Sequence, residues 1–128
     1  SVVLVAVLFL TGGPTPRAAA AEFMSALTKG DVDKLTELSY VQNRTKDQIH
    51  QEWAEAVKYS QSYIFFWDIS STQQTGATSA VVHVNLTPDP SSESAYVQPK
   101  PLQLVKVDGA WKVEVAEITR DMYPYLPR

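Results

Sequence analysis

The sequence changes its periodicity once, near Ser62, and this change limits the chain to few architectures. In residues 16–59, apolar side chains recur every three or four positions, which is the spacing of one helix face. In residues 63–118 they tend to alternate instead, which is the spacing of a strand with one buried side. Because the helical segments all precede the strands, the pattern predicts an α+β domain with helices on one face of an antiparallel sheet.

The helical half divides into three helices with recognisable ends. Thr15 before Pro16 predicts the start of the first helix, and Gly30 predicts its end. A short second helix follows Asp31, where apolar residues recur at intervals of three. The sequence Thr-Lys-Asp-Gln at residues 45–48 is a capping box that opens the third helix. We therefore expect three N-terminal helices.

The second half predicts a curved antiparallel sheet of about four strands. Strand-like stretches cover residues 63–69, 78–87, 95–107 and 111–118, with turns at residues 73–76 and 108–109. Pro99 and Pro101 interrupt the third stretch. Because proline cannot donate to a β-ladder, these residues predict an edge or a bulge there.

Composition excludes several classes of function. The 128 residues carry a net charge of −3 without a cluster of Lys and Arg, which argues against a nucleic-acid partner. The chain has no cysteine, so disulfides and thiolate metal sites are excluded. Its two histidines lack a ligand spacing, which argues against a zinc site. We expect neither a metal nor a cofactor.

Residues 1–10 are almost entirely apolar and resemble part of a membrane segment. As a helix they would span about 15 Å, half of the hydrocarbon core of a bilayer. An uncleaved anchor is favoured over a signal peptide with small residues at 19–21, and a buried β-strand is a third alternative. The residues expected in the membrane are Val2, Val3, Leu4, Val5, Val7, Leu8, Phe9 and Leu10.

The remaining chain divides into a short linker at residues 11–16, a domain at residues 17–120 and a tail at residues 121–128. The tail contains two tyrosines and two prolines, so it cannot extend the sheet and is expected to lie extended on a surface. That surface belongs either to the domain itself or to a partner.

Three residues are candidates for catalysis, each with a structural alternative. Asp68 is the one carboxylate in an aromatic strand and could face the interior, but a solvated or turn-capping role is favoured. His83 alternates out of phase with the apolar face, and His50 lies in the first turn of a helix. Neither histidine has an acidic residue at a recognisable spacing, so only tertiary contacts could form a dyad.

Aromatic residues suggest an interaction surface. The strand at residues 63–67 is bulky at both alternating positions, so part of it is expected either in a core or against a partner. The residues expected to take part are Tyr63, Phe65, Phe66 and Trp67 of this strand, with Tyr123 and Tyr125 of the tail.

Residues 16–118 resemble the NTF2-like (cystatin-like cone) superfamily. The resemblance rests on the order of elements and on the segment Thr-Lys-Gly-Asp-Val-Asp-Lys-Leu at residues 28–35. It also rests on the closing Leu-Val-Lys-Val-Asp-Gly-Ala-Trp-Lys-Val at residues 104–113. It implies a cone of helices over a curved sheet. The superfamily includes isomerases, dehydratases, ligand carriers and structural subunits, so the fold does not identify the function.

The apolar N-terminal segment, the aromatic strand, the aromatic and proline-containing tail and the lack of paired catalytic residues favour one function, and two alternatives stay open. The favoured function is a non-enzymatic, membrane-anchored accessory or assembly subunit with an integral-membrane protein partner, located outside the cytoplasm at the periplasmic or cell-surface side. A homodimer through the sheet is a further expected partnership. The alternatives are a small apolar-ligand-binding module that uses the cone interior, and an isomerase- or dehydratase-like enzyme using Asp68 or His83.

Overall fold

The computed structural model describes residues 15–61, 63–88, 91, 93, 95–118, 122, 123 and 126. Its helices are α1 (Pro16–Lys29), α2 (Val32–Leu38) and α3 (Lys46–Tyr59). Its strands are β1 (Ser39–Tyr40), β2 (Phe65–Gln74), β3 (Ser79–Pro88), β4 (Gln98–Val107) and β5 (Ala110–Glu114). A short 3-10 helix follows at Val115–Glu117. The predicted α+β class with three N-terminal helices is confirmed.

The helix ends form at the residues that the sequence indicates. The Thr15 hydroxyl accepts a hydrogen bond from the Ala18 N–H at 3.1 Å. Gly30 ends α1 with φ +70°, and a Cβ at this position would lie 3.0 Å from Val57 Cγ1. At α3, the Thr45 hydroxyl and the Gln48 side chain make both bonds of the capping box. Local chemistry therefore sets these boundaries.

The sheet has one strand more than the sequence predicts. Its order is β1-β5-β4-β3-β2, and β2, β3, β4 and β5 pair antiparallel. The additional strand β1 pairs parallel with β5, with Ser39 opposite Val113. Two residues are too few to show a period, which explains why the sequence gives no sign of β1. β2 also continues to Gln74, into the predicted turn.

Within the described residues, the two strand prolines lie where β4 has a single neighbouring strand. Pro99 and Pro101 are opposite Asn85 and His83 of β3, whereas β5 pairs only with the later half of β4, from Leu104 onward. The first half of β4 is therefore an edge, as the prolines predict. Because proline has no N–H, both residues occupy positions that do not hydrogen-bond to β3.

The core lies between the helices and the inner face of the sheet. On β3, Val82, Val84 and Leu86 are fully buried, in step with the predicted alternation. The fully buried side chains of the helices include Phe23, Met24, Leu35 and Trp53. We call this layer between the helices and the sheet the cone interior.

Residues 1–10, including the eight expected in the membrane, lie outside the described residues. Among the described helices, none is long and apolar enough to cross a bilayer.

Candidate functional site

The cone interior contains a cluster of aromatic rings in mutual contact. Trp53 of α3 lies between Phe23 and Tyr123, with ring centroids 5.8 and 6.3 Å away. Tyr123 also meets Tyr63 at 5.7 Å and Phe65 at 6.3 Å. These separations are those of packed aromatic pairs. The rings therefore pack against one another in the core. Two of them, Tyr63 and Tyr123, also border an open cleft of about 340 Å³, whose other lining residues are Leu27, Thr28, Lys29, Gly30, Val57, Ser60 and Gln61.

The polar atoms of this cluster bond within the protein. Trp53 Nε1 donates to Ser39 Oγ at 2.8 Å, and Ser39 Oγ donates to the Leu35 carbonyl at 2.6 Å. The Tyr63 hydroxyl donates to the Met122 carbonyl at 3.0 Å. Across the described residues, no buried side-chain nitrogen or oxygen lacks a partner. The cluster thus presents no unsatisfied group to a substrate.

The described part of the tail belongs to this core. Met122 and Tyr123 are 1% and 4% exposed, and the half-buried Leu126 packs against the hydrophobic core. At these residues the tail therefore lies on the domain itself. Tyr125, the other tail residue expected at an interface, lies outside the described residues.

Burial raises the pKa of Tyr123 above its usual value, and a hydrogen bond with the Ser60 side chain opposes part of this rise. The neutral Tyr123 side chain contributes its full stabilisation below about pH 10, the ordinary pKa of tyrosine, and this contribution is lost as the pH rises through the folded-state pKa. We expect the stability of the native chain to fall more steeply above about pH 10 than the stability of Tyr123→Phe. Urea unfolding midpoints measured from pH 8 to 11 test this, and equal slopes for the two proteins would contradict it.

The aromatic strand divides its side chains between the two faces of the sheet. Phe65 and Trp67 point to the inner face, where Phe65 is buried and Trp67 is half-buried. Phe66 lies on the outer face and is 65% exposed, together with Ile64 at 64%. The bulky residues of this strand thus form two rows, one covered on the inner face of the sheet and one exposed on the outer face.

A second pair of exposed apolar residues lies at the same end of the sheet. Tyr96 and Val97 are 66% and 59% exposed and lead directly into β4. β2 begins beside Pro88, and β4 begins beside Leu86, so both segments flank the end of β3. We call these four residues, Ile64, Phe66, Tyr96 and Val97, the sheet-end patch. The sequence could not indicate the pairing of these segments, because it depends on strand register.

The candidate acid and histidine of the sheet lie away from the cone interior. Asp68 is exposed on the outer face, where its carboxylate accepts a hydrogen bond from Asn85 Nδ2 at 3.1 Å. The inward orientation considered for Asp68 is therefore not observed. Asp68 lies on the same face of the sheet as Phe66, and that face is the outer one. His83 is half-buried on the same outer face, opposite Pro101. The enzyme alternative required one of these groups in the cone, and neither lies there.

The remaining histidine forms a contact that the sequence did not reveal. His50 Nε2 lies 2.9 Å from Asp33 Oδ1, which joins α3 to α2. The pair borders an open cleft of about 610 Å³ that is lined by Asp31, Asp33, Lys34, Thr36, Glu37, Lys46, Asp47 and His50. The side chains of His50 and Asp33 are 49% and 92% exposed, so water solvates both. In the described chain, no three potential metal-ligating side chains converge here or elsewhere.

Comparisons with known proteins identify the fold. No family model matches the sequence, and no curated protein matches it. An NTF2-like protein of unknown function from Shewanella oneidensis superposes with a TM-score of 0.52 and 12% identity, covering 74% of this chain and 88% of that one. An uncharacterised protein with a cystatin-like fold from Caulobacter vibrioides gives a TM-score of 0.54 and 17% identity, covering 75% of this chain and 80% of that one.

A third structure, from Streptomyces avermitilis, was assigned provisionally as a dehydratase of the NTF2-like family. It gives a TM-score of 0.50 and 14% identity over 74% of this chain and 85% of that one. At these identities the likeness concerns the fold alone. The chain has the NTF2-like, or cystatin-like, fold, and the fold suggested by the sequence resemblance is confirmed.

Proposed function

We propose that this chain is a non-enzymatic, membrane-anchored domain that binds another protein as an accessory or assembly subunit of a membrane complex. The observation that supports this most directly is the sheet-end patch. Six large apolar residues are exposed in the described part of the chain, and four of them belong to the two segments that flank the end of β3. Single exposed apolar residues are ordinary, whereas a group of them at one place usually indicates a binding surface.

The surroundings of the patch suit a protein interface. On the outer face beside Phe66 lie Asp68, Asn85 and Thr87, which are polar and partly or fully exposed. Protein interfaces commonly combine an apolar centre with such a polar rim. The ring contacts of Trp53 and Tyr123 support the same proposal, because they show aromatic residues of the cone interior stabilising the fold.

The proposed anchor rests on the sequence of residues 1–10. An anchor of this kind would hold the domain close to the bilayer and raise its effective concentration near an integral-membrane partner. A modest apolar patch would then suffice for stable association.

Phe66→Ser tests the proposal, with Tyr59→Ser as a matched control. Tyr59 is 60% exposed, close to the exposure of Phe66, but it lies on α3. Burying a phenylalanine contributes about 1.5–3 kcal/mol, so we expect Phe66→Ser to reduce recovery of a cross-linked membrane partner about tenfold or more. Quantitative co-purification of the whole chain from native membranes measures this recovery, and Tyr59→Ser should leave it unchanged.

Two outcomes would contradict the proposal. Equal recovery with the native chain and Phe66→Ser would show that the patch does not bind the partner. Recovery of the whole chain in the soluble fraction would contradict the membrane anchor while leaving the protein-binding role open to the same assay.

A further inference from the structure

The C-terminal ends of α1 and α3 meet beside the open cleft of about 340 Å³. Residues 27–29 border it from α1, and Val57 and Ser60 border it from the end of α3. The two helix ends are in close contact, since a Cβ at Gly30 would lie 3.0 Å from Val57 Cγ1. The volume of the cleft is at the lower end of the range of about 300–1,000 Å³ that is usual for small-molecule pockets.

The cleft lies outside the cone interior. Tyr123 borders it and also contacts Trp53, whose side chain has no exposed surface. Tyr63 borders it as well, and the Tyr63 hydroxyl donates to the Met122 carbonyl at 3.0 Å. Tyr63 and Tyr123, which we call the tyrosine wall, are thus shared by the cleft and the packed aromatic cluster. A ligand in the cleft would contact this wall without entering the core.

The lining combines apolar surface with neutral hydrogen-bonding groups. Leu27 and Val57 contribute aliphatic side chains beside the tyrosine wall. Thr28 and Gln61 are exposed polar residues. The Thr28 hydroxyl donates to the Ser25 carbonyl at 2.8 Å, and its oxygen can still accept a hydrogen bond from a ligand. The cleft therefore suits a ligand with an apolar body and a polar group.

The cleft beside His50 has a different chemistry. Its described lining residues are charged or polar, among them Asp33, Lys34 and Asp47, and none of them is apolar. It therefore offers a ligand little apolar area to bury. The smaller cleft at the helix ends is the better candidate for a small-molecule site.

The charges around the cleft at the helix ends nearly cancel. Each helix C-terminus has an effective charge of about −0.5, so the two ends together contribute about −1. Among the described residues that line the cleft, Lys29 alone is charged, and it contributes one positive charge. Neither a cation nor an anion therefore gains a net attraction that would offset its loss of hydration.

We propose that this cleft binds a small uncharged ligand that has an apolar body and a hydroxyl group, in the manner of an aromatic alcohol. The body packs against Leu27, Val57 and the tyrosine wall. The hydroxyl donates to the Thr28 oxygen or to one of the last carbonyls of α1, since such carbonyls have no intrahelical N–H partner. The site contains no residue of the sheet-end patch, so it goes beyond the proposed protein-binding function and does not depend on it.

Three probes of nearly equal shape test the proposed ligand class. Benzyl alcohol, benzylamine and benzoate are neutral, cationic and anionic in neutral solution. We expect benzyl alcohol to bind the whole chain with a dissociation constant on the order of millimolar, as is usual for a ligand of about eight non-hydrogen atoms. Benzylamine and benzoate should bind at least about fivefold more weakly, because each loses hydration without a net attraction. Backbone amide NMR shifts of Lys29, Gly30 and Gln61 locate the bound probe.

Thr28→Trp tests the position of the site, with Ala18→Trp as a matched control on the same helix. Both residues are exposed, but Thr28 borders the cleft, whereas Ala18 lies in the first turn of α1. Because an indole at residue 28 would occupy the cleft, we expect Thr28→Trp to weaken the binding of benzyl alcohol about tenfold or more. Ala18→Trp should leave that binding unchanged.

Saturable shifts at the helix ends, strongest binding by benzyl alcohol and loss of that binding in Thr28→Trp would support the proposal. No saturable shift at the helix ends, or a charged probe that binds as tightly as benzyl alcohol, would overturn it. Larger shifts at the Trp53 indole N–H than at the helix ends would place the probe in the cone interior and would also overturn it. The probe series uses the unmodified chain, so it decides the question even if Thr28→Trp does not fold. Partner recovery with Phe66→Ser is a separate measurement, so the proposed function and this site can fail independently.

Discussion

Trp53→Ala is expected to lower the free energy of unfolding by about 3–5 kcal/mol, the usual cost of truncating a buried tryptophan. Trp53 has no exposed surface, and its ring lies between Phe23 and Tyr123. Its removal would leave a cavity at the centre of the aromatic cluster. A domain of this size has a total stability of about 5–15 kcal/mol, so the variant would be close to unfolding at room temperature.

Trp53→Phe separates packing from hydrogen bonding in the same position. It keeps an aromatic ring but loses the bond from the indole N–H to Ser39 Oγ, so we expect a smaller loss of about 1–3 kcal/mol. Urea denaturation followed by circular dichroism measures both variants. If Trp53→Ala cost less than about 1 kcal/mol, the side chain could not be filling the cone interior as described.

The loss of unfolding free energy caused by a proline substitution in β2 should depend strongly on which side of the strand the replaced N–H faces. Asp68→Pro removes a donor to β3 and leaves the Asn85 carbonyl without its partner, so we expect a loss of about 2–3 kcal/mol in unfolding free energy. The Lys106 N–H donates to the Thr78 carbonyl, so even-numbered residues of β3 face β4 and odd-numbered ones, such as Asn85 opposite Asp68, face β2. The N–H of Ile69, opposite Val84, therefore points away from β3. Ile69→Pro should cost about 1 kcal/mol, chiefly through lost packing.

Alanine variants at the same two positions serve as controls for the side chains. Asp68 is exposed, so Asp68→Ala should change stability by no more than about 0.5 kcal/mol. The free energy of unfolding of each proline variant is compared with that of the alanine variant at the same position, by chemical denaturation. A larger proline penalty at residue 69 than at residue 68 would reverse the assigned alternation of the ladder.

The parts of the fold that local chemistry determines were predictable from the sequence. The caps at Thr15 and Thr45 and the left-handed residue Gly30 depend on contacts within a few positions, and all three form as expected. The buried row of β3 follows from its strict alternation. Such features carry their physical cause within a short stretch of sequence.

The features that were not predictable depend on positions that meet only after folding. The His50–Asp33 contact joins two helices, and no spacing in the sequence indicates it. The sheet-end patch combines residues from the beginnings of two segments, one leading into β2 and one into β4, and these strands do not pair with each other. For Asp68 the alternation correctly grouped it with Phe66, but the choice of inner or outer face was set by which row packs against the helices.

The position of Tyr123 affects the order of events during synthesis. This residue completes the ring contacts of Trp53, Tyr63 and Phe65, although it is made long after them. The helices can form early as nascent segments, but contacts between distant positions wait for the later residue and slow folding. While the chain is being translated, its aromatic residues would remain partly uncovered, so the domain should acquire protection from proteases only when Tyr123 has left the ribosome.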